Sequence, residues 1–193
     1  MLTINDLKNG SSIVILGDPY IVMSVKHLHV GRGSSSVQTR IRNLRTGQVF
    51  ERNFKPADMF EEADIKKMTA CFIYISRGEY WFHEDGKPSN RFMLLENAVG
   101  EKAVFLKPKM KVTALLFTEK GDQRVLAIEL PIKGDYAVVD APPPVRGNTA
   151  QGGTKVVTIE GGATVDVPLF INTGDVIRVN TDTGEYVERI EKA

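Results

Sequence analysis

Seven cations, Lys26, Arg32, Arg40, Arg42, Arg45, Arg52 and Lys55, stand against one carboxylate, Glu51, between positions 26 and 55. Such a cluster suits phosphate, because a guanidinium is always charged and offers five donors in a planar fork. Arg40 and Arg42 are two apart, so on a strand they share one face. The residues alone leave open whether that face meets an anion or is the solvated side of a half-buried sheet. The segment His29-Val30-Gly31-Arg32-Gly33-Ser34-Ser35-Ser36 sets one arginine between two glycines. Either it presents a guanidinium at a hairpin tip, or it is an ordinary turn that contains arginine. Neither the Walker spacing nor Gly-x-Gly-x-x-Gly is present and no helix follows, which sets a phosphate-cradling loop aside.

Other residues carry less. His27 and His29 fall on one strand face, but no third ligand follows at a recognisable spacing, so no metal is expected. Cys71, the single cysteine, lies in the apolar run Cys71-Phe72-Ile73-Tyr74-Ile75 and reads as packed rather than nucleophilic; it excludes an intrachain disulfide framework and multi-cysteine zinc sites. Trp81, between Tyr80 and Phe82, is assigned with them to barrel core as alternation allows, an exposed stacking platform being the alternative. Glu61-Glu62 lies beside a turn as ordinary solvated charge, so a hydrolase has little support.

The elements that must position these residues are short. In 193 residues, 42% hydrophobic and 25% charged, alternating apolar runs recur between turn signals spaced as in barrels or sandwiches, and a core can form. Hairpins are expected around Gly17-Asp18-Pro19, Arg77-Gly78, Glu119-Lys120-Gly121-Asp122, Gly161-Gly162 and Asp182-Thr183-Gly184. Helical signals are brief: Thr3 as an N-cap, Pro56 opening residues 57–65, and a stretch from Glu96 to Phe105. Composition divides the chain into units 1–66, 67–130 and 131–193. The net charge of +1 conceals a basic first unit edge and an acidic C-terminal third. No segment is apolar enough to span a membrane, and the opening MLTINDLKNG lacks the features of a signal peptide, so a soluble cytoplasmic protein is expected.

Several segments together resemble the translation elongation factor P family, the bacterial relatives of eukaryotic and archaeal initiation factor five-A. They are Asn5-Asp6-Leu7-Lys8-Asn9-Gly10, Gly31-Arg32-Gly33, Arg42-Asn43-Leu44-Arg45-Thr46-Gly47, Phe54-Lys55, Val145-Arg146-Gly147-Asn148-Thr149-Ala150, Gly153-Thr154-Lys155, the run Gly162 to Ile171, Gly174-Asp175 and Thr183 to Arg189. The resemblance spans essentially the whole chain. It implies an all-β protein of three small β-barrels, an SH3-like (KOW-like) N-terminal barrel and two OB-fold barrels, in an L shape. It also implies a monomeric, non-enzymatic factor without cofactors, which binds the 70S ribosome between the peptidyl and exit sites and relieves stalling at consecutive prolines.

The resemblance assigns roles residue by residue. Gly31, Arg32 and Gly33 would meet the acceptor end of peptidyl-tRNA (prolyl-tRNA), and Arg40, Arg42, Arg45 and Arg52 would neutralise tRNA phosphates. Gly147, Asn148 and Thr149 would face the exit-site codon, with Tyr186 and Arg189 near small-subunit RNA. Asn148 stands where the family has Asp, which removes a charge and adds an amide donor. One arginine-tipped group of the family is rhamnosylated by a tip-modifying enzyme within Ser-Gly-Arg-Asn. Here the context is Val30-Gly31-Arg32-Gly33, so an unmodified Arg32 is expected ahead of a rhamnosylated one. The alternatives are a generic OB-fold RNA-binding protein, which would carry aromatics interleaved with cations on an OB face, and the elongation-factor-P-like paralogue.

Overall fold

A computed structural model of the chain describes residues 1–28, 36–119, 121–143 and 153–193. The first sheet contains β1 (Leu2–Thr3), β2 (Ser12–Ile15), β3 (Asp18–Leu28), β4 (Ser36–Asn43), β5 (Val49–Phe54) and β6 (Met59–Glu62), in the order β1-β6-β2-β3-β4-β5. Its inward alternation buries Ile13, Val22, Val37, Ile41, Phe54 and Phe60 with Ile4 and Leu7, so a short SH3-like barrel closes on its own core. The first hairpin turns at Leu16-Gly17, both with positive φ, one residue earlier than the Gly-Asp-Pro signal implies; Asp18 and Pro19 already belong to β3.

Two helical expectations fail in this barrel. Met59–Glu62, expected within a helix opened by Pro56, is strand β6, because pairing with β1 and β2 fills both of its edges and alternation buries Phe60. Thr3 caps no helix. Instead the Asp6 carboxylate accepts from the Thr3 amide at 2.8 Å and hydroxyl at 2.7 Å, and the hydroxyl bond leads in holding that carboxyl below its ordinary pKa.

The second sheet contains β7 (Ile65–Ser76), β8 (Glu79–Glu84), β9 (Lys87–Leu95), β10 (Lys111–Glu119) and β11 (Asp122–Glu129), in the order β11-β10-β7-β8-β9. Counted within the unit this is 5-4-1-2-3, with the outer strands β9 and β11 in contact. That is the connectivity of an OB barrel. A single helical turn, α1 (Glu96–Val99), and a 3-10 turn (Glu101–Phe105) fill the β9–β10 connection, where the sequence carried its third helical signal.

The third sheet repeats the pattern with β12 (Lys133–Asp140), β13 (Thr154–Ile159), β14 (Thr164–Pro168), β15 (Val176–Asn180) and β16 (Tyr186–Glu191), in the order β14-β13-β12-β15-β16. The second and third barrels share one continuous core, running from Ala70 and Phe82 through Phe105 to Tyr136, Val165 and Val179. At the seam the Tyr136 hydroxyl donates to the Phe105 carbonyl at 2.9 Å, and Lys107 ion-pairs with Glu160 at 3.0 Å. Burial, with Glu160 and Asp135 nearby, pushes the Tyr136 pKa up to about 12, so the phenol keeps the proton it donates.

The first barrel is joined differently. A small apolar cluster of Leu44, Leu115 and Ala127 lies between it and the second barrel, apart from either main core.

Candidate nucleic-acid interface

Strands β3, β4 and β5 build the basic surface by alternation and register. Gln38 and Arg40 alternate with buried Val37, Thr39 and Ile41 and therefore point outward. Cross-strand pairing sets Lys26 beside Gln38, and Ser24 and Glu51 beside Arg40. Ser24, Lys26, Gln38, Arg40 and Glu51 thus line one shallow hollow. Thr39 stabilises it from behind by donating to the Arg52 carbonyl at 3.0 Å. Lys26 and Arg40 outnumber Glu51 here, and the hydroxyl and amide add neutral hydrogen-bonding groups suited to a phosphate oxygen.

The four arginines of the expected phosphate stripe do not act as one surface. Arg52 pairs with Thr39, so it faces away from Arg40, into a groove lined by Ile15, Leu16, Phe54 and Met59. Arg42 shares the outer face with Arg40 as alternation requires, but the second barrel covers it. Its Nη2 donates to the Ala98 carbonyl at 2.9 Å, and burial lowers its pKa while Glu101 acts in the opposite direction. Arg45 spans the same junction, with Nε 3.0 Å from Asp18 Oδ1 and Nη2 2.6 Å from Glu119 Oε2. The Glu119 hydrogen bond is the main reason its pKa rises.

Buried Asn43 explains the position of Arg45. Its side-chain oxygen accepts from the backbone N–H groups of Arg45 and Thr46 at 2.8 and 3.0 Å, and its amide donates to Asp18 at 3.2 Å. This local turn aims the Arg45 side chain across the gap. Gly47, at φ +74, lies where any Cβ would run into the Asn97 carbonyl oxygen of the second barrel. Nothing local in the sequence marks Arg42 and Arg45 for this role, since Ala98 and Glu119 are 56 and 74 residues away.

In the third barrel, Arg189 lies over the Phe170 ring at 5.0 Å and 3.5 Å from the carboxylate of Asp175, a residue only 1% exposed. Tyr186 is half-buried against the shared core. Burial opposes the charge on Asp175, but the N–H groups of Asn172 and Ala193, each at 2.9 Å, together with Arg189, outweigh it and hold the carboxyl below its ordinary value. Gly31, Arg32, Gly33, His29, Gly147, Asn148 and Thr149 lie outside the described residues. Among the described residues no group of three His, Cys, Asp or Glu side chains is placed to hold a metal, and no helix is long and apolar enough to cross a membrane.

Fold and site together define an all-β, three-barrel protein that carries a cationic hollow on the outer face of its first barrel. Residues 3–60 match the Elongation factor P (EF-P) KOW-like domain, and residues 135–189 match Elongation factor P, C-terminal. Elongation factor P of Natranaerobius thermophilus is 36% identical over 191 residues, covering 99% of each chain. That of Bdellovibrio bacteriovorus is 33% identical over 192 residues, covering 100% of each. Among solved structures, eukaryotic translation initiation factor 5A from Methanococcus jannaschii aligns over 66% of this chain and 94% of its own, with 12% identity and a TM-score of 0.40. The chain belongs to the elongation factor P family, and is accordingly a translation factor rather than an enzyme.

Proposed function

We propose that this protein binds the 70S ribosome between the peptidyl and exit sites and braces peptidyl-tRNA, relieving stalling at consecutive prolines. The observation that carries the reading is family membership over the full length, joined to a cationic hollow on the barrel that bears the Arg32 segment. Proline fixes φ and restricts the residue before it, so prolyl substrates reach attack geometry less often. A factor that holds the acceptor end still offsets this loss by positioning, and supplies no reacting group.

Within this reading Gly31, Arg32 and Gly33 meet the acceptor end, with Arg32 unmodified. Lys26 and Arg40 take tRNA phosphates, and Arg52 adds a cation from the opposite face. Arg42 and Arg45 contribute by holding the first barrel to the second, since their guanidinium groups already have partners there. Gly147, Asn148 and Thr149 face the exit-site codon, with Tyr186 and Arg189 near small-subunit RNA. Cytoplasmic residence and action as a monomer belong to the same proposal.

The test is translation of a message encoding Pro-Pro-Pro on a matched ribosome. Wild type should relieve the stall and Arg32→Ala should not. Absence of relief by wild type overturns the function, whereas relief unchanged by Arg32→Ala overturns only the role of the tip. Mass spectrometry of the native tip peptide decides its modification.

A further inference from the structure

We propose that the outer face of the second barrel is a stacking site for unpaired RNA bases, independent of the hollow on the first barrel. Tyr80 and Phe82 point into the core, which turns Trp81 outward between them. Register then places Tyr74 of β7, Trp81 of β8 and Met93 of β9 side by side in one row across three strands. The Tyr74 and Trp81 rings stack at 6.3 Å between centroids and 24° between planes, and Tyr74 and Met93 are 44% and 38% exposed. Glu79 accepts from the indole N–H at 3.2 Å and fixes the ring. The row is therefore an ordered, open aromatic surface rather than a loose side chain.

Its charged border decides the ligand. Exposed Arg91 lies two residues from Met93 on β9, with His83 as its cross-strand partner, and Arg77 stands at the β7–β8 turn. Of the neighbouring carboxylates, Glu84 is paired with Lys87 at 2.6 Å and bonded by Asn90 at 2.7 Å, while Glu79 accepts from the neutral indole and keeps its charge. With Lys87 offsetting Glu84, Arg77 and Arg91 outnumber Glu79, and a net cationic border beside exposed rings matches a nucleotide, whose base has a flat π-face and whose phosphate is anionic. Strands two and three of an OB barrel, here β8 and β9, form the face that such folds commonly offer to oligonucleotides. A base paired in a duplex does not expose its π-face, so the ligand is single-stranded.

Trp81 is the only tryptophan in the chain, so its fluorescence reports on this face. The full-length protein is titrated with oligouridylate of about eight nucleotides, within the usual site size of an OB fold. The same titration with an RNA duplex is the comparison. Saturable quenching by the single strand is expected, with much weaker quenching by the duplex. Tyr74→Ala and Met93→Glu should each weaken binding about fivefold or more, and Lys133→Ala, which removes an exposed cation of the third barrel, should leave it unchanged. Both variants alter exposed side chains, and thermal melts confirm that each is folded before it is scored.

No quenching at saturating oligonucleotide overturns the proposal. Equal quenching by duplex, or a Lys133→Ala loss as large as that of Tyr74→Ala, does the same. Quenching by RNA-free ribosomal proteins without any response to oligouridylate would assign the face to a protein partner, and also overturns it. The assay contains no ribosome, so its outcome is separable from that of the stalling experiment.

Discussion

At the scale of single residues, identical side chains have acquired different work. Arg40 and Arg42 share an outer face, yet only Arg40 remains exposed, because the Ala98 carbonyl captures Arg42. Replacing Arg40 or Lys26 with alanine should weaken tRNA binding without regard to sequence, and should reduce the log-log salt slope by about one unit for each lost phosphate contact. Arg42→Ala should leave that slope unchanged; a salt titration of tRNA affinity checks both. Asp175 predicts a pH effect. Its carboxyl is held below the ordinary value, so it contributes stability above the unfolded pKa of about 3.9 and loses it as pH falls through the folded pKa. Asp175→Asn should cost about 1–3 kcal/mol at neutral pH. It should also remove part of the acid sensitivity of unfolding, measured by urea denaturation from neutral to acidic pH.

At the scale of elements, the junction between the first two barrels combines an apolar centre with two arginine pins. Leu44, Leu115 and Ala127 exclude water, while Arg42 and Arg45 fix the direction of the contact. The Arg45–Glu119 pair is partly exposed, so its removal should cost no more than about 1 kcal/mol. Gly47→Ala should cost more, about 1–3 kcal/mol, because it adds strain at positive φ to a collision with the backbone at Asn97. Spin labels on the first and second barrels should show a broadened distance distribution for Gly47→Ala and a smaller broadening for Arg45→Ala. The paired exchange Arg45→Glu with Glu119→Arg should recover the narrow distribution only in part, because Asp18, 3.0 Å from the Arg45 guanidinium, repels a carboxylate at that position.

At the scale of the whole molecule, core continuity divides the protein two to one. The first barrel buries its own cluster, whereas the second and third share theirs across the Phe105–Tyr136 seam. Calorimetry should resolve two unfolding transitions, one for the first barrel and one for the fused pair. Arg42→Ala should lower the first transition selectively. Tyr136→Phe should lower the second, by about 1–2 kcal/mol, because the Phe105 carbonyl loses the hydroxyl that satisfies it. A single transition lowered equally by both substitutions would refute the division.

The sequence by itself determined the all-β class, the hairpin at Arg77-Gly78 and the sharing of a face by Arg40 and Arg42, whereas Trp81, assigned to the core with its neighbours, turns outward because Tyr80 and Phe82 take the inward positions. The first three follow from a period of two and from turn chemistry, which are local. The family was legible too, from motifs spread over the full length. Tertiary structure decided the rest. Met59–Glu62 became a strand because two neighbours paired with it, against its helical composition. Arg52 was set across the sheet from Arg40, and Arg42 and Arg45 were drawn into a junction with residues 56 and 74 positions away. A local pattern specifies the face on which a side chain lies, but not what the folded chain brings against that face.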